Sequence, residues 1–93
     1  MEKERTTENW KAELIGQAIV RLMIKSYKEK GYTSTAIAQK IGINKSGMSR
    51  IKNGQYQLDL DRFLAICYMT EQNPVDLIQR AEALFASTHS PAV

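Results

Sequence analysis

The chain has 93 residues, 43% of them hydrophobic, and its 13 Lys and Arg against 10 Asp and Glu give a formal net charge of +3. This length and apolar content suit one small domain with a single core. The single cysteine excludes an intramolecular disulfide, and no apolar run approaches the roughly 18 residues that a membrane-spanning helix needs. Since the N-terminus MEKERTTENW contains no apolar signal region, we expect a cytoplasmic protein without a membrane partner.

A long first helix is predicted from a cap at Thr6 or Thr7 to about Lys30, after a charged and flexible start over residues 1–6. The apolar stripe expected to face the core comprises Trp10, Leu14, Ile15, Ala18, Ile19, Leu22 and Met23. Further apolar residues, Val20, Ile24 and Tyr27, fall on a different side of the helix. They are interpreted either as singly exposed hydrophobic residues or as a contact with another subunit.

Residues 32–54 contain two short helical patterns separated by a glycine. The first spans Ser34–Ile41 and the second Lys45–Lys52, with Gly42 at the end of the first and Asn44 as the cap of the second. The positions expected to face inward are Ile37, Ala38, Ile41, Met48 and Ile51. Because the outer face of the second helix is polar and basic, the pattern is typical of a DNA-reading helix-turn-helix.

The charge distribution also indicates double-stranded DNA as the partner. Residues 30–58 include five Lys or Arg and no Asp or Glu, although the whole chain has ten acidic residues. An acid-free basic stretch of this kind favours contact with a polyanion.

Two more helices complete a chain that we expect to be all-α. The fourth is predicted over residues 60–70 with Asp59 as its cap, and the fifth from Asn73-Pro74 to about Ala86. The inner face of the fourth helix is expected to be Leu60, Phe63, Leu64, Ile66, Cys67 and Thr70, and the apolar positions of the fifth are Leu77, Ile78, Ala81, Leu84 and Phe85. The DNA-binding domain therefore spans residues 7–86, and residues 87–93 are expected to form a disordered tail.

A gap-free pattern extends over residues 32–78. Its residues are Thr33, Ala38, Lys40, Gly42, Ser46, Ser49, Arg50, Ile51, Asn53, Gly54, Leu60, Leu64, Ile66, Pro74 and Leu77. With them the chain resembles the Cro and lambda-repressor-like helix-turn-helix family, also called the xenobiotic-response-element type. The resemblance implies a compact five-helix bundle that binds DNA, usually as a dimer. Two positions depart from the family pattern, since Ser34 replaces a glutamine that touches the DNA backbone and Thr70-Glu71 replaces Leu-Gly.

The resemblance also implies which residues contact DNA. Base edges would be read from the start of the second motif helix, by Lys45, Ser46, Ser49 and Arg50, and Arg50 is suited to a bidentate contact with guanine. The alternative interpretation is that these four residues form an ordinary solvent-exposed helix face. Contacts with the DNA backbone are expected from Ser34, Lys52, Asn53, Gln55 and Tyr56. For Tyr56, covering the end of the helix is an equally good interpretation.

The leading hypothesis is a sequence-specific transcription regulator, a repressor in most of the family, which acts at a roughly palindromic operator through residues 45–52. The family more often pairs through its last helix, so Leu84 and Phe85 are the first candidates for a homodimer contact, and Val20, Ile24 and Tyr27 are the second. A higher oligomer and a regulatory protein partner remain open.

Other functions also fit the pattern. Lys45, Ser46, Ser49 and Arg50 resemble the recognition helix of phage cII-type activators, and an antitoxin that represses its own operon is a further alternative. A protein-interaction module on a helix-turn-helix scaffold is the alternative from another class. No enzyme, cofactor or metal is expected, because no nucleophile has a nearby His, there is no Gly-rich phosphate loop, and His89 has no Cys or His partner.

Overall fold

The computed structural model describes residues 7–55 and 57–89, with side chains for residues 10–55 and 57–87. Those residues form five α-helices and no strand, which confirms the all-α bundle with a long first helix. In chain order the helices are α1 Thr7–Glu29, α2 Ser34–Ile41, α3 Lys45–Lys52, α4 Leu60–Met69 and α5 Pro74–His89. No helix of this described part is long and apolar enough to cross a membrane. The predicted flexible start, residues 1–6, lies outside the described residues.

Local capping chemistry sets the bounds of the two motif helices. The Thr33 hydroxyl accepts the N–H of Ala36 at 3.1 Å at the start of α2, and Asn44 Oδ1 accepts the N–H of Gly47 at 2.7 Å at the start of α3. Gly42 ends α2 with φ at 78°, in the left-handed region that glycine adopts without a Cβ clash. The predictions for Gly42 and Asn44 are therefore confirmed.

The starts of α4 and α5 follow the same chemistry, whereas the end of α5 differs from the prediction. Asp59 accepts the N–H of Arg62 at 3.0 Å, and Asn73 accepts the N–H of Val75 at 2.9 Å. The fifth helix continues to His89, so the predicted disordered tail is wrong for residues 87–89. Residues 86–89 include neither Gly nor Pro, so nothing in the sequence stops the helix at residue 86. The rest of the predicted tail, residues 90–93, lies outside the described residues.

The core is built on the second half of α1. Met23, Ile24 and Tyr27 are 1%, 8% and 0% exposed, whereas Trp10 and Leu14 are 37% and 36% exposed. The predicted inward stripe is therefore wrong at its N-terminal end, and the outward placement of Ile24 and Tyr27 is wrong as well. With 23 residues, α1 is about 35 Å long. Near its start Trp10 contacts Phe85 of α5, whereas near its end Tyr27 is bonded to Ser34 of α2, so one straight stripe does not describe its buried side.

The other helices close this core with most of the residues that the sequence predicted. The buried residues shared with the prediction are Ile37, Ala38, Met48, Ile51, Phe63, Ile66, Cys67, Thr70, Leu77 and Ala81. Leu60, Ile78 and Leu84 are 68%, 37% and 49% exposed, so the inner faces predicted for α4 and α5 were too wide. The Cys67 side chain is fully buried, and burial raises the pKa of its thiol to about 11. The thiol therefore stays protonated near neutral pH.

A left-handed residue forms the turn between α4 and α5. Glu71 has φ at 58°, a conformation that costs a non-glycine residue roughly 1–2 kcal/mol. Lys30, at the end of α1, holds this turn, because its Nζ donates to the carbonyl oxygens of Thr70 at 2.9 Å and Glu71 at 2.7 Å. The first lysine of the acid-free stretch therefore caps α4.

Replacing Glu71 by glycine is expected to stabilise the fold by about 1 kcal/mol, because glycine adopts this φ without a Cβ clash and the carbonyl that Lys30 contacts is kept. For a domain of this size the midpoint of thermal unfolding, measured by circular dichroism, should rise by roughly 4–8 °C. Glu71→Ala is the control, since alanine removes the charge and keeps the strain. Equal gains in the two variants would show that the charge, and not the backbone, is the source.

Candidate nucleic-acid interface

Helix α3 packs against the core on one side only. Met48 and Ile51 are 4% and 5% exposed and pack inward, while the residues predicted to contact bases lie exposed on the opposite side: Lys45, Ser46, Ser49 and Arg50. No acidic residue lies within α3. The major groove of B-DNA is about 12 Å wide and admits an α-helix. The polar side of α3 can therefore reach base edges while its apolar side stays packed in the protein.

A cleft of about 230 Å³ lies between the start of α2 and α3. Its lining residues are Ser34, Thr35, Ala38, Lys45, Met48, Ser49 and Lys52. Buried Ala38 and Met48 contribute its apolar part, and the hydroxyl and ammonium groups form the polar remainder. The structure thus brings together Ser34, Lys45, Ser49 and Lys52 of the predicted residues around one opening, whereas Ser46 and Arg50 are exposed outside it.

Ser34 is tied to the first helix by a hydrogen bond. Its Oγ lies 2.8 Å from the hydroxyl of Tyr27, which is fully buried. Burial raises the pKa of the Tyr27 phenol above its usual range, so the group stays protonated near neutral pH. Since Thr33 already caps α2, the Ser34 side chain is not needed as a cap, and its bond to Tyr27 joins the first turn of α2 to the last turns of α1.

The segment that follows α3 places two more predicted backbone contacts in solvent. Asn53 is the residue at which α3 ends, and both Asn53 and Gln55 are exposed. The N–H of Gln55 donates to the carbonyl of Arg50 at 2.9 Å, which closes the turn. Tyr56 lies outside the described residues, so its contact with the DNA backbone stays a prediction.

One lysine that the sequence did not assign to this surface lies beside it. Lys28 is exposed in the last turn of α1, and its positive charge is the main cause that lowers the pKa of Lys52, followed by partial burial of Lys52. The ion pairs formed within the described residues include neither lysine. The sequence favoured a different role for Lys28, which sits where a cation balances the dipole of α1. Lys28 lies on α1 and Lys52 on α3, so no local sequence pattern connects the two charges.

The residues proposed for self-association have very different surroundings. Ile24 and Tyr27 are buried inside the single chain, so they cannot form a subunit contact in this fold, and Val20 is half-buried against the same core. Phe85 is half-buried, and its ring lies 5.9 Å from that of Trp10 at an angle of 45°. Leu84, which is 49% exposed, offers the most open surface of the five.

Comparison of the chain with known protein families gave one match. A family model described as a Cro/C1-type HTH DNA-binding domain matches residues 24–82. The chain belongs to this family. The matched part of this Cro/C1-type protein begins in the second half of α1 and includes all of α2, α3 and α4, and it supports the assignment to DNA-binding transcription regulators. No match was found among curated proteins or among solved structures.

Proposed function

We propose that this Cro/C1-type protein is a sequence-specific repressor that binds a roughly palindromic operator as a homodimer in the cytoplasm, with α3 of each subunit in the major groove. The supporting observation is the two-sided character of α3, which buries Met48 and Ile51 and exposes its basic and hydroxyl side chains. In this proposal the protein has no enzymatic activity and needs no cofactor, and if a partner regulates it, that partner is a protein.

The proposed contacts divide into two groups by their position on the structure. Lys45, Ser46, Ser49 and Arg50 read base edges, because they occupy the exposed side of α3. Ser34, Lys52, Asn53, Gln55 and Tyr56 contact phosphates and sugars. Those of this second group that the structure describes lie at the start of α2 or at the end of α3, the two flanks of a helix that enters a groove.

Arg50→Ala is expected to weaken binding to the preferred sequence by about 1–3 kcal/mol, because a bidentate contact with guanine would be lost. The preferred duplex is first obtained by selecting bound DNA from a random pool. Affinities for that duplex and for mixed-sequence DNA are then compared for each variant, and the preference at one base pair per half-site should relax.

The matched control is Arg80→Ala. Arg80 is an exposed arginine on α5 whose guanidinium lies 3.6 Å from the Asp76 carboxylate. Arg80→Ala changes the net charge by the same amount as Arg50→Ala. Because Arg80 lies on α5 and not on α3, its loss should not alter sequence preference. If Arg50→Ala weakened binding to selected and mixed-sequence DNA equally, Arg50 would contact only the DNA backbone.

A second candidate function, a protein-interaction module, is favoured by an apolar groove of about 250 Å³ away from α3. The residues that line it are Gly16, Ile19, Val20, Leu58, Leu60, Phe63 and Ile78. Retention on heparin at low salt separates the two functions, since only the DNA-binding function requires it. An activator or an antitoxin would use the same DNA-reading surface as a repressor, and gene neighbourhood separates those roles.

A further inference from the structure

The apolar groove of about 250 Å³ lies where the middle of α1 meets the start of α4 and the first turns of α5. None of its lining residues has a polar side chain, whereas sites for small molecules usually hold a few polar groups that orient the ligand. Two of the lining residues, Leu60 and Ile78, are 68% and 37% exposed. Apolar side chains that remain in water around a concave surface are typical of a site for the side chains of another protein.

Gly16 is an interior residue of α1 that lines this groove. Glycine is the least favourable residue after proline inside a helix, and a Cβ built at Gly16 would meet no atom within 4 Å. No contact within the described residues therefore requires glycine there. The missing side chain does give close access to the backbone of α1, which a second helix packed into the groove can use.

The wall of the groove formed by α4 and α5 is acidic. Residues 59–89 include five Asp or Glu and two Arg, and both arginines are paired with an aspartate, at 3.5 and 3.6 Å. Asp61, next to Leu60, and Glu82, one turn after Ile78, are exposed. Neither carboxylate forms an ion pair with any residue that the structure describes. This wall is therefore negative, although the whole chain has a net charge of +3.

A negative and apolar surface restricts the chemistry of its occupant. DNA does not suit it, because DNA is a polyanion. A second copy related by a two-fold axis does not suit it either, because the same patch on both subunits would bring like charges together. The cations Arg21 and Lys52 line a neighbouring cavity and not the groove. A positively charged helix with one apolar face matches both the charge and the shape.

We propose that this groove binds a basic amphipathic helix of a partner protein, with the helix backbone close to Gly16 and its apolar side chains beside Leu60 and Ile78. The inference goes beyond the proposed DNA-binding function, because none of the lining residues belongs to α2 or α3. The site lets a regulatory protein bind without using the side chains proposed to read DNA.

The test measures the binding of a fluorescein-labelled peptide to the full chain by fluorescence anisotropy. The probe is a peptide of about 18 residues, roughly five helical turns, with leucines on one face and lysines elsewhere. We expect micromolar binding of this lysine peptide. Two control peptides, one with glutamate for every lysine and one with serine for every leucine, should bind at least about tenfold more weakly. Because the protein has a net charge of +3, its overall charge does not attract the lysine peptide.

Gly16→Ala separates the groove from the stability of the fold. Alanine favours the helix and its Cβ meets no atom in the free chain, so the midpoint of thermal unfolding should rise by roughly 4–8 °C. The same methyl group would hold a bound helix away from α1, so the affinity for the lysine peptide should fall by about tenfold. A purely structural role of Gly16 would not combine a gain in stability with a loss of binding.

Leu60→Ala should also weaken binding by about tenfold, and it leaves the fold intact because Leu60 is exposed. Tyr68→Ala is the matched control, since Tyr68 is 70% exposed on the same helix and does not line the groove. Glu82→Gln should weaken binding by about two- to fivefold at low salt and by less at high salt. Glu29→Gln should have no effect, because Glu29 lies at the end of α1, roughly 20 Å from Gly16 along the axis.

The remaining outcomes overturn the inference. If the lysine peptide does not bind at micromolar concentration, or if Gly16→Ala and Leu60→Ala bind it as the wild type does, the groove is not its site. If the glutamate peptide binds equally well, the acidic wall does not select the partner. If sedimentation without peptide shows that Gly16→Ala or Leu60→Ala reduces self-association, the occupant is a second copy. None of these measurements contains DNA, so the proposed function stands in every case.

Discussion

Ile24→Glu should remove most of the stability of the folded chain. Ile24 is 8% exposed and packs in the same core cluster as Met23 and Tyr27, so a glutamate would place an uncompensated carboxylate in apolar surroundings. We expect the free energy of unfolding, measured by urea denaturation, to fall by about 4 kcal/mol or more. That is a large part of the roughly 5–15 kcal/mol that stabilises a native protein.

The control is Lys25→Glu, which introduces the same side chain at the next residue, where the helix is exposed. Because the new carboxylate stays in water, the midpoint of urea unfolding should change little. A monomeric Ile24→Glu variant with native helix content and native stability would contradict the buried position and would return Ile24 to a subunit contact.

Leu84→Glu is expected to give monomers with a native fold and to weaken binding to the selected duplex by roughly 10²–10⁴-fold, the range by which joining two binding modules raises affinity. Leu84 is 49% exposed on α5, and like charges at a two-fold interface would face each other. Phe85→Glu is a poorer test, because it would also remove the contact between the rings of Phe85 and Trp10.

Sedimentation at micromolar concentration measures the oligomeric state, and Gln79→Glu is the control, since it adds one charge at another exposed position of α5. It should leave self-association intact. If Leu84→Glu remains dimeric, α5 is not the main contact. The apolar groove that includes Leu60 is then the next surface to test, with Leu60→Glu.

The short helices could be predicted because each has its own start and stop signals. Asn44, Asp59 and Asn73 each accept a backbone N–H of the following helix, and Gly42 adopts the left-handed conformation that ends α2. These signals act over three or four residues, so they can be read without the tertiary structure. The match to the Cro/C1-type family confirms the helix-turn-helix that they enclose.

The buried side of α1 could not be predicted, because apolar residues occur on two of its sides. Periodicity shows which residues share a face, but it does not show which neighbour that face meets. Ile24 and Tyr27 were therefore assigned outward, while the core cluster that they share with residues of the other four helices buries them.

The lysines near the end of α1 illustrate the same limit for charge. Counting residues grouped Lys30 with the DNA surface and left Lys28 out. The structure gives Lys30 the carbonyls of a distant turn, and the positive charge of Lys28 lowers the pKa of Lys52 on α3. Both relations join parts of the chain that are far apart in sequence, so no local pattern reveals them.

The single thiol can report local unfolding of the protein. Cys67 is fully buried on α4, and its raised pKa leaves almost no thiolate at neutral pH. A thiol-specific reagent should therefore modify only molecules in which α4 has separated from the core. When reclosing is faster than labelling, the labelling rate measures the population of that open state. Each variant could thus be compared for local opening without adding a probe or a denaturant.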